Sequence, residues 1–180
     1  MAKILITGIQ GFVGHHLGGY LVEKGNKIVG IQRNNFKDMY SGVYYHDLRQ
    51  PINELMRKKI GNVDIIIHLA AMSHVDRSIK DPVGAVLDNV LGTFNMLEYA
   101  RKVKPRLFIY FSTDEVFGPN INGEKFKEWD RFNPGNPYSA SKAAGEDLCL
   151  AYHNTYEVPV IITHCMNIFG ECQHEEKFIP

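Results

Sequence analysis

Apolar runs of three to seven residues alternate along the chain with longer segments of helical periodicity. The predicted strands are residues 3–7, 27–31, 43–45, 64–70, 107–112 and 159–164. The longer runs are apolar at consecutive positions, which is typical of parallel strands covered by helices on both faces. The predicted helices are residues 12–24, 51–60, 82–104 and 137–157. The repeated strand–helix–strand order predicts an α/β fold with a doubly wound parallel sheet and right-handed crossovers.

The predicted helices have boundary residues that fit their positions. Gly25 follows the first helix and is a favourable residue just past a helix end. Pro51 is suited to the first turn of the second helix, and Asp81 with Pro82 predicts the start of the third. The segment 117–136 has no regular pattern and is long enough to predict a functional loop.

Composition narrows the class of protein. The chain has 180 residues, 44% of them hydrophobic and 22% charged, with a formal net charge of zero, which indicates one globular domain. The chain has no block of Lys and Arg residues that would suggest nucleic acid or an anionic membrane as partner. No apolar run approaches the roughly 18–20 residues of a membrane span. The start "MAKILITG" enters a strand directly, and the three cysteines form no CxxC pair. We therefore expect a cytoplasmic protein with no metal site.

A glycine-rich segment, "ITGIQGFVGHHL", joins the first strand to the first helix. Gly8, Gly11 and Gly14 permit a tight turn and let backbone N–H groups approach a pyrophosphate at the helix N-terminus. This strand–turn–helix context predicts a dinucleotide site rather than a merely structural turn. The intervening Gln10, Phe12 and Val13 are candidate cofactor-binding residues too.

The end of the second strand bears on the choice of dinucleotide. An acid is usual there for the adenosine 2′-hydroxyl, but this chain has Gln32 followed by Arg33. A cation suits a 2′-phosphate, so the residues favour NADP over NAD. The alternative is that Arg33 is a solvated surface residue and that the site binds NAD. Asp47 and Leu48, after the third strand, are placed to border the adenine.

Tyr138 and Lys142 in "NPYSASKAAGE" share one face of the last predicted helix. A tyrosine with the usual pKa of about 10 is a poor base at neutral pH. A lysine ammonium about 4 Å away would favour the phenolate by roughly 4 kcal/mol at an effective dielectric of about 20. We therefore expect Lys142 to lower the pKa of Tyr138 and to make it a usable base. Such pairs also occur by chance on helices, and the glycine loop is what favours a functional reading.

Five motifs together identify a family resemblance: "TGIQGFVG", "HLAAMSHVDRSI", "NVLGT", "FSTDEVFG" and "PYSASK". They resemble the extended short-chain dehydrogenase/reductases, whose fold is Rossmann-like. Within these the chain is most similar to the nucleotide-sugar 4,6-dehydratases of the dTDP-glucose 4,6-dehydratase type. The resemblance implies a nucleotide-sugar substrate and favours NAD, against the indication from Arg33. The acid pair in "TDE" is the most discriminating motif, because the related 4-epimerases usually lack it.

The resemblance also implies catalytic roles. Tyr138 would take the proton of the sugar 4-hydroxyl, Glu115 would remove the C5 proton, and Asp114 would protonate the departing 6-hydroxyl. Thr113 would hydrogen-bond the 4-oxygen, and Lys142 would bind the nicotinamide ribose. One carboxyl group must be ionised while its neighbour is protonated, and adjacent like charges favour such a division.

Further positions carry over with less force. Leu69, Ala70 and Ala71 are candidate cofactor contacts, and Asn89 resembles a residue of the cofactor region that orders the active-site helix. The candidate substrate-binding residues are Ser73, His74, Thr113 and Asn167.

Departures from the family pattern leave alternatives open. Phe117, Met72, Cys172 and Glu175 replace residues that are usual in the family, which weakens the assignment of one particular sugar nucleotide. Family members continue into a C-terminal substrate domain, which we expect to be absent here. The alternatives are a 4-epimerase or reductase, and a non-catalytic NAD(P)-binding module. A homodimer through segments 82–104 and 137–157 is expected by resemblance.

Overall fold

A computed structural model describes residues 1–34, 42–121, 123 and 125–175. Parts of the predicted loop 117–136 and the last five residues of the chain lie outside the described residues. A six-stranded parallel sheet forms the centre of the fold, in the strand order β3-β2-β1-β4-β5-β6. Its strands are β1 (Lys3–Thr7), β2 (Lys27–Gln32), β3 (Val43–Tyr45), β4 (Ile65–His68), β5 (Leu107–Thr113) and β6 (Val160–Cys165). The predicted doubly wound, Rossmann-like α/β sheet is confirmed.

Helical segments connect the strands. They are α1 (Phe12–Glu23), α2 (Glu54–Ile60), α3 (Val75–Lys80), α4 (Pro82–Ala85), a π-helical segment (Val86–Leu91), α5 (Gly92–Val103), a 3₁₀ turn (Asp114–Phe117) and α6 (Pro137–Tyr156). The predicted end of α1 is confirmed, because Gly25 has a φ of 78° and its N–H bonds to the carbonyl of Val22. The predicted start of α4 is confirmed as well, since the Asp81 side chain accepts from the Gly84 N–H at 2.9 Å.

One predicted helix boundary was wrong, one predicted helix has an irregular segment, and one short helix was missed. The second helix begins at Glu54 and not at Pro51, because the Asn53 side chain caps it by accepting from the Met56 N–H. The predicted helix 82–104 contains the π-helical segment, which the apolar periodicity did not indicate. The short helix α3 was missed altogether, since six residues give too little periodicity to detect.

The core lies on both faces of the sheet because successive strand residues point in opposite directions. Leu5 packs with Ile66 and Phe108 on one face, whereas Ile4 and Ile6 pack on the other. Burial on both faces explains why the strands are apolar at consecutive positions. No helix in the described part of the chain is long and apolar enough to cross a membrane.

Candidate active site

A cavity of about 560 Å³ opens at the carboxyl ends of the strands. It lies at the switch point between β1 and β4, where the strand order of the sheet reverses direction. In open α/β sheets this reversal creates a crevice that binds ligands. Most of the predicted site residues line this one cavity: Gly8, Gly11, Phe12, Val13, Gly14, Arg33, Asp47, Leu48, Leu69, Ala70, Ala71, Ser73, Thr113, Glu115, Tyr138, Lys142 and Asn167. The volume lies within the range of about 300–1,000 Å³ that is usual for ligand pockets.

The glycine loop is built so that only glycine fits at two of its positions. Gly8 has a φ of 69°, in the left-handed region, and its N–H donates to the carbonyl of Ile31 at 2.8 Å. A Cβ on Gly14 would lie 2.3 Å from the carbonyl oxygen of Gly8. The loop therefore lies close against the start of α1 and against the end of β2.

The N-terminus of α1 fits a dinucleotide pyrophosphate. Its N-cap is Gly11, no described side chain caps it, and its first turn has no acidic residue. The backbone N–H groups of that turn face no capping oxygen, and the helix dipole favours an anion there. Together with the glycine loop and the cavity volume, this donor set fits NAD or NADP.

The far end of the cavity holds a cluster of four charged side chains. Arg33 Nη1 donates to both carboxylate oxygens of Asp88, at 2.9 and 3.1 Å. Arg49 Nε donates to Asp47 Oδ2 at 2.8 Å and lies 3.7 Å from Asp88 Oδ1. The hydrogen bond from Arg49 lowers the pKa of the Asp47 carboxyl. Asp88 and Arg49 line the cavity although the sequence did not indicate them.

The predicted acid pair lies in the 3₁₀ turn directly after β5. Thr113 caps this turn by accepting from the Glu115 N–H at 3.3 Å, and its hydroxyl donates to Asp114 Oδ1 at 3.4 Å. Asn136 Nδ2 donates to Glu115 Oε2 at 3.2 Å, which fixes that carboxylate against the start of α6. Glu115 lines the cavity, whereas Asp114 is not among the lining residues.

Tyr138 stands on the first turn of α6, which is anchored by a reciprocal capping box between Asn136 and Ser139. Burial raises the pKa of Tyr138 to about 12, a hydrogen bond with Thr113 opposes this rise, and the charge of Glu115 adds to it. The expectation that Lys142 lowers this pKa is therefore wrong for the protein without cofactor. For the protein with oxidised cofactor bound it stays a prediction.

The position of the Lys142 ammonium group explains why the pKa of Tyr138 is raised and not lowered. Its ammonium group donates to the carbonyl of Phe111 at 2.6 Å and lies 4.1 Å from the centre of the Tyr110 ring. Burial lowers the pKa of Lys142 to about 8, because the charged form is poorly solvated there. The ammonium is directed toward β5, so its charge does not offset the burial of the Tyr138 hydroxyl.

Asn89 was predicted to order the active-site helix and was grouped with the cofactor-binding residues, and its contacts are of the first kind. It is 1% exposed and does not line the cavity. Its Oδ1 accepts from the Met72 N–H at 2.7 Å, and its Nδ2 donates to the Met72 carbonyl at 3.0 Å and to Ser141 Oγ at 2.8 Å. Ser141 Oγ in turn donates to the Tyr138 carbonyl at 2.7 Å. Asn89 thus ties the segment after β4 to the turn of α6 that carries Tyr138.

A buried carboxylate joins three elements beside the same wall. Glu146 of α6 is 1% exposed and accepts from the Ser112 hydroxyl of β5. Its Oε2 lies 2.8 Å from His164 Nε2 of β6. The His164 ring packs against Phe117, with 4.8 Å between ring centroids. This network holds together the strand ends that present Thr113, and no local sequence pattern indicated it.

Two further predicted residues lie outside the cavity wall, and several unpredicted ones line it. The side-chain amide atoms of Gln10 are buried and have no hydrogen-bond partner among the described residues, and His74 is the N-cap residue of α3. The unpredicted lining residues are Ile31, Gln32, Asn34, His46, Arg49, Asp88, Phe111, Ser112, Cys165, Met166, Ile168, Phe169 and Gln173. All but Asp88 lie in the last residues of a strand or in the segment that follows it, where ligands bind in this fold. Asp88 lies in the π-helical segment.

The sequence profile of the NAD dependent epimerase/dehydratase family matches residues 4–180. Among individual proteins, dTDP-D-glucose 4,6-dehydratase of Dictyostelium discoideum is 39% identical over 206 residues, covering 99% of this chain and 46% of that protein. dTDP-glucose 4,6-dehydratase of Haemophilus influenzae is 36% identical and is covered over 60% of its length. The chain therefore spans about half the length of the curated relatives it matches.

Solved structures give the same likeness. DesIV, a dTDP-glucose 4,6-dehydratase from Streptomyces venezuelae solved with NAD and TYD bound, superposes with a TM-score of 0.90 at 32% identity over 99% of this chain and 60% of that one. UDP-glucose 4-epimerase from Thermus thermophilus, in complex with NAD, gives a TM-score of 0.83 at 26% identity over 90% of this chain and 54% of that one.

Proposed function

Because the chain belongs to the NAD dependent epimerase/dehydratase family, we propose that it forms the cofactor-binding and catalytic part of a nucleotide-sugar 4,6-dehydratase, a lyase. The observation that carries the proposal is the placement of Glu115, Thr113 and Tyr138 on one wall of the cavity that also holds the glycine loop. A dehydratase needs one base for the proton of the 4-hydroxyl, a second base for the C5 proton, and an acid for the departing 6-hydroxyl. The end of β5 and the start of α6 supply such groups side by side.

Cofactor binding involves two ends of the cavity. The backbone of Gly8, Gly11 and the first turn of α1 would hold the pyrophosphate, while the residues after β2 and β3 would border the adenosine. NAD, when bound, supplies a centre that accepts a hydride from the sugar and returns it. Lys142, at the opposite side near β5, would bind the nicotinamide ribose.

Tyr138 would accept the proton of the sugar 4-hydroxyl as that carbon is oxidised to a ketone. Thr113 already lowers the pKa of the Tyr138 hydroxyl and would hydrogen-bond the same sugar oxygen. The raised pKa of Tyr138, about 12 without cofactor, makes it a weak acid and a strong base once ionised. Positive charge near the ring is therefore needed before Tyr138 works at neutral pH.

The acid pair would carry out the elimination. The new ketone acidifies the C5 hydrogen, and Glu115 takes that proton while the C6–O bond breaks. Asp114 would give a proton to the departing hydroxyl, so that water leaves and a 4-keto sugar with a C5=C6 double bond remains. Return of the hydride to C6 and of the proton from Glu115 to C5 would then give the 4-keto-6-deoxy sugar. Asn136 holds Glu115 in place through one carboxylate oxygen and leaves the other available.

The substrate class follows from the relatives. Proteins named as dTDP-glucose 4,6-dehydratases make dTDP-glucose the first candidate. Ser73 and Asn167 line the cavity beside Thr113 and are the candidate contacts for the sugar. Because the chain spans about half the length of those relatives, substrate choice and the activity of a whole protein belong to this proposal, as does homodimer formation.

The test compares the wild-type residue with Glu115→Gln in a chain that is extended by the corresponding C-terminal part of the Dictyostelium discoideum relative, on addition of NAD and dTDP-glucose. Loss of the C5 base should lower the yield of 4-keto-6-deoxy product by about 10²–10⁴-fold. Oxidation at C4 remains possible, so the absorbance of reduced nicotinamide should rise in the variant and persist. Glu128→Gln, at an exposed glutamate in the segment before α6, is the matched control. Equal product from Glu115→Gln and wild type would overturn the proposed role.

A nucleotide-sugar 4-epimerase is the second candidate. The specific observation in its favour is that Asp114 does not line the cavity, so only one of the two acids faces the substrate space. An epimerase needs Tyr138, Lys142 and Thr113 but does not need the acid pair. Conversion of UDP-glucose to its C4 epimer, with no 4-keto-6-deoxy product from any sugar nucleotide, would favour this function.

A further inference from the structure

We propose that Asp88 sets the choice of cofactor and makes the site take NAD in preference to NADP. The proposal rests on the proposed function, since it concerns the dinucleotide site. Asp88 belongs to the π-helical segment, far along the chain from the glycine loop, and yet it lines the adenosine end of the same cavity. No part of the sequence pattern around Arg33 pointed to this carboxylate.

The first support is the geometry of the Arg33–Asp88 pair. One guanidinium nitrogen donates to both carboxylate oxygens, at 2.9 and 3.1 Å. The Asp88 side chain is 12% exposed, whereas that of Arg33 is 42% exposed. A carboxylate that is largely removed from water loses much if its partner leaves, because the remaining charge has little solvation. Arg33 is therefore held by Asp88, and a phosphate that binds Arg33 must weaken this ion pair.

The second support is the balance of charge around this pair. Arg49 bonds with Asp47 and lies 3.7 Å from Asp88, so two cations face two carboxylates. Among the described residues, His46 is the further titratable side chain on this part of the wall, and the charge of Asp81 acts on Arg49 from the start of α4. These described side chains thus offer no excess positive charge to a group with nearly two negative charges.

These contacts separate the two cofactors by their 2′ substituents. A phosphate close enough to bond with Arg33 also comes close to the carboxylate of Asp88, and the two anions repel each other. A neutral ribose hydroxyl meets no such repulsion and can donate to a carboxylate or to Gln32. Asp88 therefore reverses the preference for NADP that Arg33 alone would give.

The experiment measures the affinity of NAD and of NADP by titration calorimetry for the wild-type chain and for Asp88→Asn. We expect the wild type to bind NAD more tightly. Asp88→Asn removes the carboxylate charge and releases Arg33, so the ratio of NADP affinity to NAD affinity should rise about tenfold. Adding Arg33→Gln to Asp88→Asn should abolish most of that rise, because the released cation is then gone.

Controls separate this inference from simpler effects. Asp147→Asn removes an exposed carboxylate of α6 that is not part of the cavity wall and should leave the ratio unchanged. Asp88→Ser removes the same charge and gives the same comparison if Asp88→Asn does not fold. Tighter NADP binding by the wild type, or an unchanged ratio in both Asp88 variants, would overturn the inference while leaving the proposed function in place. Binding of neither nucleotide would overturn the proposed function and this inference with it.

Discussion

Burial moves the pKa values of Tyr138 and Lys142 in opposite directions, to about 12 and about 8, and both shifts favour the uncharged side chain. The spacing of the two residues was evident in the sequence, but their electrostatics depend on what surrounds each one. The carbonyl of Phe111 and the ring of Tyr110 hold the ammonium, and neither could be placed there from a four-residue spacing. The sequence therefore identifies Tyr138 and Lys142 as a pair, whereas their charge states depend on the groups that the fold places around them.

The cost of burying the Lys142 charge predicts a particular pH dependence for Lys142→Met. Between the folded pKa of about 8 and the ordinary value of 10.5, the unfolded state binds more protons, so wild-type stability rises with pH across this window. The variant lacks this contribution. Its free energy of unfolding, relative to wild type, should fall by up to about 3 kcal/mol as the pH rises from 7 to above 10. Urea unfolding at both pH values measures the difference.

Lys102→Met is the matched control for this titration. Lys102 is exposed on α5, so its ammonium is solvated in the folded and the unfolded chain alike. A difference between Lys142→Met and wild type that stays constant with pH would show that the Lys142 charge is not costly to bury.

At the scale of elements, the apolar pattern predicted all six strands and the limits of α1 and α6 to within one or two residues. The strands were predictable because both faces of the sheet are covered, which makes their apolar runs continuous. The errors fall where a side chain decides the local structure, as when Asn53 starts α2. The π-helical segment is another such place, since it brings Asn89 to the backbone of Met72 and to Ser141.

The clamp formed by Asn89 predicts a large effect for Asn89→Asp. An aspartate has no N–H donor, so the Met72 carbonyl and Ser141 Oγ each lose a partner while the side chain stays buried. Each buried polar group left unpaired costs about 1–3 kcal/mol, so we expect the free energy of unfolding to fall by about 2–4 kcal/mol in urea titrations. Asn154→Asp, at an exposed position on α6, should change it by only a few tenths of a kcal/mol. A loss at Asn89 as small as that at Asn154 would rule out the clamp.

Across the whole molecule, what the sequence left hidden is the set of contacts between distant segments. Arg33 and Asp88 are 55 positions apart, Asn89 and Ser141 are 52 apart, and Ser112 and Glu146 are 34 apart. Local patterns contain no signal for such pairs, because each partner alone is compatible with many environments. The glycine loop and the acid pair were predictable for the opposite reason, since their chemistry is complete within a few consecutive residues.

Cofactor binding depends on local segments of this chain, whereas turnover also depends on contacts from more distant segments. We therefore predict that this chain binds NAD but has little activity. The glycine loop, α1 and Arg33 lie within the described residues, so the 180-residue protein should bind NAD and be stabilised by about 2.7 kcal/mol at 100 times the dissociation constant. The candidate contacts for the sugar in this chain are Ser73, Thr113 and Asn167, and the chain spans about half the length of the relatives it matches. Because precise orientation of the sugar accounts for a large part of the rate, turnover of dTDP-glucose by this chain should be very low.

A chimera that extends the chain with the corresponding C-terminal part of the Dictyostelium discoideum relative should raise this turnover. Product formation and thermal stabilisation by NAD are measured for both lengths. Rapid turnover by the 180-residue chain would contradict the prediction, whereas a chimera that binds NAD and the sugar nucleotide without forming product would favour a non-catalytic NAD-binding module.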